Sequence, residues 1–107
     1  MGATARSGVY LCCVANYDSA RVEIFIDQGD YQKNRAIYKR LEQNRDAIEV
    51  AYGKSLNWVC QDDVRACKVY DEIKEVSIKN EEDWPVMSAF HIQRAKALLV
   101  ATKQFLA

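Results

Sequence analysis

The sequence predicts an α+β domain of two layers, a four-stranded antiparallel sheet with two long helices on one face, in the order ββαββα. Two observations carry this. The hydrophobic period changes from two to about 3.6 between Ala20 and Gly53, and the same order of two strands and a helix follows after Gly53. A length of 107 residues, half of them hydrophobic and 28% charged, fits a single globular domain over residues 1–107.

Val9-Tyr10-Leu11-Cys12-Cys13-Val14-Ala15 is an apolar run of strand length. Both its faces are hydrophobic, which predicts cover from helices on one side and partial cover from a neighbouring domain or subunit on the other. Asn16-Tyr17-Asp18-Ser19 supplies turn chemistry, so a hairpin to Arg21–Asp27 is expected. There Val22, Ile24 and Ile26 share one face while Phe25 interrupts the polar side.

Asp30 is placed to cap a helix whose stripe is Ile37, Leu41, Ile48 and Tyr52, and Gly53 to end it. Its other arc carries Lys33, Arg35, Lys39 and Arg40, read as a solvated face. Leu56–Cys60 and Ala66–Ile73 predict a second hairpin, turned by Gln61–Arg65. Glu81-Glu82-Asp83 and Pro85 then mark the first turn of a helix reaching Leu106. Its predicted core stripe is Trp84, Met87, His91, Ala95, Leu98 and Phe105, with Ile92, Leu99 and Leu106 beside it. That is more apolar circumference than a small sheet covers, so Leu99, Val100, Phe105 and Leu106 are candidate contacts with a second chain or another domain.

Fifteen basic and fifteen acidic residues cancel, so no overall field gathers nucleic acid or acidic lipid. The N-terminus lacks a signal-peptide core and no apolar run approaches the roughly 20 residues of a membrane span, so a cytoplasmic protein without membrane contact is expected. The four cysteines, Cys12, Cys13, Cys60 and Cys67, are expected to be buried reduced thiols. A Cys60–Cys67 cross-link or shared metal is the alternative, since a short loop between strand ends would bring the two together.

Chemistry is sparse. Asp62 or Asp63 with Glu72-Ile73-Lys74 matches the acid and E-x-K metal set of restriction-type nucleases, but acid-x-Lys matches of this kind arise by chance in a charged chain. His91, the single histidine, falls in an apolar stripe and reads as a core or interface residue. Four scattered glycines make no phosphate loop, and no cofactor, resident metal, catalytic residue or small-molecule substrate is indicated. Arg21, Arg65 and Lys68 sit in or beside strands and are expected to share the uncovered sheet face with Tyr10 and Phe25, the pairing of basic and aromatic groups that single-strand binders use.

Six segments in order, Arg6–Leu11, Arg21–Ile26, Asn44–Glu49 with Tyr52-Gly53, Leu56-Asn57-Trp58, Arg65-Ala66-Cys67 and Glu82–Pro85, give a sequence that resembles the bacterial and archaeal domain of unknown function 4268 family over nearly its whole length. The resemblance implies a domain that typically follows a restriction-endonuclease-like nuclease domain, so this chain is expected to be a C-terminal domain or a stand-alone version of one. It departs from the family where Cys67 and Lys68 replace the usual serine and arginine, which keeps a charge but loses a forked guanidinium. Three functions are then expected in this order: a non-catalytic accessory or interaction domain of a DNA-processing or defence protein, self-associating or docking a nuclease domain; a nucleic-acid-binding module using Arg21, Arg65 and Lys68; and a small metal-dependent nuclease built on Asp62, Glu72 and Lys74.

Overall fold

The computed structural model of the chain describes residues 2–3 and 6–106. Strands β1 (Gly2–Ala3), β2 (Val9–Ala15) and β3 (Ser19–Ile26) precede helices α1 (Tyr31–Gln43) and α2 (Arg45–Tyr52). Strands β4 (Asn57–Val59) and β5 (Cys67–Lys74) follow, then a short 3₁₀ turn at Glu81–Asp83 and helix α3 (Trp84–Leu106). The four expected strands form an open antiparallel sheet, to which the two-residue β1 adds an edge, in the order β1-β2-β3-β5-β4.

Alternation along the strands decides which side the helices cover. Val22, Ile24 and Ile26 of β3 are fully buried, with Val9 of β2 and Cys67 and Val69 of β5 on the same face by register. Helix α3 packs on β2 and β3 and against α2, while α1 packs on β3 and β5. All three helices therefore lie on one side, and the two-layer α+β fold follows. The second hairpin sits beside the first as a unit, turned so that β5 pairs with β3 at the centre and β4 lies at the margin.

The first long helix is interrupted at Asn44. Its side chain donates to the Arg40 carbonyl at 2.8 Å, and its backbone, at φ −108° and ψ 20°, leaves the helical region. A residue that bonds its own backbone in this way competes with the helix ladder. The predicted caps hold at both outer ends: the Asp30 carboxylate accepts from Lys33 N at 2.9 Å, and the Gly53 N–H donates to Glu49 O at 2.9 Å. The stripe Ile37, Leu41, Ile48 and Tyr52 is buried in full.

Helix α3 is rotated from the expected stripe. Met87, Leu98 and Leu106 are buried, but Trp84 and Ile92 are exposed, and Phe90, Ala101 and Thr102 occupy the interior instead. Thr102 is satisfied there by donating to the Leu98 carbonyl at 2.9 Å.

Of the three glycines at positive φ, Gly8, Gly29 and Gly53, two differ in what surrounds them. Gly53, at φ 100°, has open space where a side chain would go. Gly8, at φ 78°, would set a Cβ only 2.9 Å from the Gln28 Cα. We expect Gly53→Ala to cost about 1 kcal/mol, the backbone penalty alone, and Gly8→Ala about 2 kcal/mol or more, because backbone must also move. Urea denaturation measures both; equal losses would contradict the steric reading.

Candidate interaction surface

The sheet side away from the helices is the most distinctive surface. Register sets it out in rows: Tyr10, Phe25, Lys68 and Val59; then Cys12, Glu23, Tyr70 and Asn57; then Val14, Arg21 and Glu72. No described element covers these rows, yet most of their side chains are half-buried by one another. A cavity of about 260 Å³ opens where Phe25, Lys68 and Tyr70 meet Val59 and the loop residues Gln61 and Val64.

Charge on this face is largely cancelled. Arg21 donates through Nε to Glu72 at 2.8 Å, lies 4.0 Å from Glu23, and stacks over Tyr70 at 4.4 Å from the ring centre. The hydrogen bond from Arg21 holds the Glu72 carboxyl below its ordinary pKa and raises that of the guanidinium. Burial, and next the Glu23 charge, push the Cys12 thiol up, which disfavours the nucleophilic thiolate. Lys68 is the exception. It approaches the Tyr70 ring at 5.7 Å and has no salt bridge among the described residues.

Loop 60–66 forms the cavity's outer wall, and side chains from α1 hold it. Arg35 donates to the carbonyls of Arg65 at 2.7 Å, Val64 at 2.6 Å and Gln61, while stacking on Tyr31 at 3.8 Å. Buried Asn34 donates to Arg65 O at 3.0 Å, and Tyr31 donates to Asp62 O at 2.9 Å. Arg35 was expected on a solvated face; no spacing rule connects it to carbonyls some thirty residues later.

The cysteines also depart from expectation. Cys60 and Cys67 are joined by a disulfide across 4.6 Å between Cα atoms, because β4 ends and β5 begins side by side. Cys12 and Cys13 are free, and Cys13 is exposed rather than buried.

Arg21 and Lys68 reach the predicted face, but Arg65 does not. Its guanidinium forks onto Asp27 at 3.0 and 2.8 Å, beside the amide of Asn34, which donates to the same carboxylate at 3.2 Å. Arg65 first, then the Gly29 N–H that donates at 2.9 Å, and then Asn34 hold the Asp27 carboxyl at a pKa of about 2. Because the folded value lies below the unfolded one of about 3.9, the pair stabilises the fold above that value, and the contribution is lost as pH falls toward 2. We expect the urea midpoint to drop over this interval and Asp27→Asn to flatten that part of the profile; an unchanged profile in the variant would exclude the linkage.

The nuclease-like set is not assembled. Asp62 lies in the loop before β5, Glu72 is engaged by Arg21, and five residues of strand, roughly 17 Å, separate Glu72 from the β5 start. Among the described residues no three acidic, histidine or cysteine groups converge as a metal site. His91 is half-buried with Nε2 3.0 Å from the Val14 carbonyl, so Nε2 carries the proton. Of the candidate contacts on α3, Leu106 is buried and Leu99 and Phe105 are half-buried, which leaves Val100, 66% exposed, as the one open to a partner. The removal of Leu106 and the partial cover of Phe105 follow from the helix rotation.

Among the described residues no helix is long and apolar enough to cross a membrane. The family model described as domain of unknown function (DUF4268) matches residues 2–106, and the chain belongs to that family. No curated protein and no solved structure matches it.

Proposed function

We propose that this DUF4268 member is a non-catalytic interaction domain, associated with DNA-processing or defence nucleases, that docks a partner protein through its uncovered sheet face. The observation that carries this is the combination of cancelled charge and half-buried aromatics: Arg21 is matched by Glu72 and Glu23, while Phe25 and Tyr70 present ring surface around a preformed cavity, with Tyr10 across from Phe25. Aromatic-rich patches depleted of net charge are what protein interface cores are made of. A nuclease domain or a second copy of the chain is the partner this reading names. Its test is sedimentation velocity of the chain alone and mixed with a restriction-like nuclease domain from the same genome. A complex weakened tenfold or more by Phe25→Asp, in a variant that keeps its far-UV spectrum, is expected; a monomer at every concentration and in every mixture would overturn the reading.

A second reading, a nucleic-acid-binding module, is favoured by Lys68, whose ammonium makes no salt bridge among the described residues and lies over the Tyr70 ring, with Phe25 across from it on β3. Phosphate contact by this group predicts that single-stranded oligonucleotide affinity falls with salt and that Lys68→Ala lowers the salt slope by about one. Affinity indifferent to salt would exclude it.

A further inference from the structure

We infer that the opposite end of the sheet, where the β2–β3 turn meets the chain leaving β5, is a second docking surface that takes a basic amphipathic segment of a protein partner. Three large side chains are exposed together there: Tyr17 at 70%, Trp84 at 49% and Ile78 at 43%. Their proximity is fixed by hydrogen bonds. Ile78 N donates to Asn16 O at 2.9 Å, Trp84 Nε1 donates to Ile78 O at 2.7 Å, and Tyr17 and Ile78 line a shallow groove of about 700 Å³. Apolar groups left in water at a site this well ordered mark an interaction surface rather than scattered exposure.

The backbone beneath is held in a costly conformation. Glu75 has φ 62°, left-handed for a residue with a side chain, and its N–H donates to Asp18 O at 3.0 Å. The groove is therefore preformed, which lowers the ordering a partner must impose.

Charge selects the occupant. Exposed Asp18, Glu75, Glu81 and Glu82 rim the patch and carry no salt bridge among the described residues, whereas Lys79 is drawn over the Tyr17 ring at 4.6 Å. With Lys74 as the other cation of this end, the rim is net negative, and it complements a partner that offers apolar side chains flanked by lysine or arginine. Apart from Lys74, which follows Glu72 on the same side of β5, none of these residues belongs to the open sheet face, so this inference and the proposed function fail separately.

The test is calorimetric titration of the whole chain at low salt with an 18-residue amphipathic leucine–lysine peptide, and with its leucine–glutamate counterpart. Binding of the first peptide only, accompanied by a blue shift of tryptophan emission that Trp84→Phe removes, is expected. Tyr17→Ala should weaken that binding about tenfold or more, the double charge reversal Glu81→Lys with Glu82→Lys should abolish it, and Phe25→Asp should leave it unchanged. No heat with the basic peptide, equal binding of both peptides, or indifference to Tyr17→Ala would overturn the inference. So would sedimentation showing that Tyr17→Ala dissolves a homodimer, which would make a second copy the occupant.

Discussion

Replacing Asp71 with alanine is expected to cost about 3 kcal/mol of folding stability, among the largest losses any single exposed or buried polar residue here would cause. Asp71 is 2% exposed on the helix-covered face of β5, directly across from Val22. Its carboxylate accepts from the Tyr52 hydroxyl at 2.6 Å, from Lys54 Nζ at 3.1 Å and from the Glu72 N–H at 2.9 Å. Truncation leaves the Tyr52 hydroxyl buried without its acceptor, and a donor stranded in this way loses more than the bond was worth. Lys54→Ala should matter far less, since that side chain is 46% exposed and its pairing is screened by solvent. Burial, and then the hydrogen bond to Asp71, raise the Tyr52 pKa above its ordinary value of about 10. Stability should accordingly be full below pH 10 and fall as pH climbs beyond it, with Tyr52→Phe reducing that alkaline loss. Urea midpoints for the three variants decide the matter; losses under about 0.5 kcal/mol for Asp71→Ala would show that the network holds nothing together.

Reducing the Cys60–Cys67 bond with dithiothreitol is expected to lower stability by about 2.5 kcal/mol. The bond closes a loop of seven residues' separation, and the chain-entropy relation assigns roughly that value to so short a ring. The loss should enter mainly through the unfolded ensemble, because Arg35, Asn34 and Tyr31 still hold loop 60–66 in the folded protein. Midpoints with and without reductant give the size of the effect. Thiol titration of the denatured, unreduced chain should find only Cys12 and Cys13. Four titrating thiols, or a midpoint indifferent to reductant, would remove the cross-link from the account.

The elements were legible in the sequence because each rests on local periodicity. Val22, Ile24 and Ile26 reveal a strand by themselves, and Asp30 and Gly53 mark helix ends without reference to anything distant. What stayed hidden depended on partners far along the chain. The break at Asn44 required knowing that its amide would turn back to Arg40, and the rotation of α3 required the shape of the floor it lies on. Cysteine spacing left Cys60 and Cys67 open to a reduced or a bonded state, since only the adjacency of β4 and β5 brings the sulfurs together. On the candidate surface, strand register placed Arg21 and Lys68 correctly, whereas Arg65 belongs to a loop whose course periodicity does not specify.

The position of β5 beside β3 has a consequence for how the chain folds. The seam at the middle of the sheet joins Ser19 to Lys74 and Ile26 to Cys67, so its contacts span much of the sequence, while the β2–β3 ribbon closes over a turn of a few residues. Loop-closure entropy makes the local ribbon the early event and the central seam a late one. The halves of the chain, alike in their order of elements, are therefore not autonomous folding units: each supplies one lip of a seam that neither can close alone.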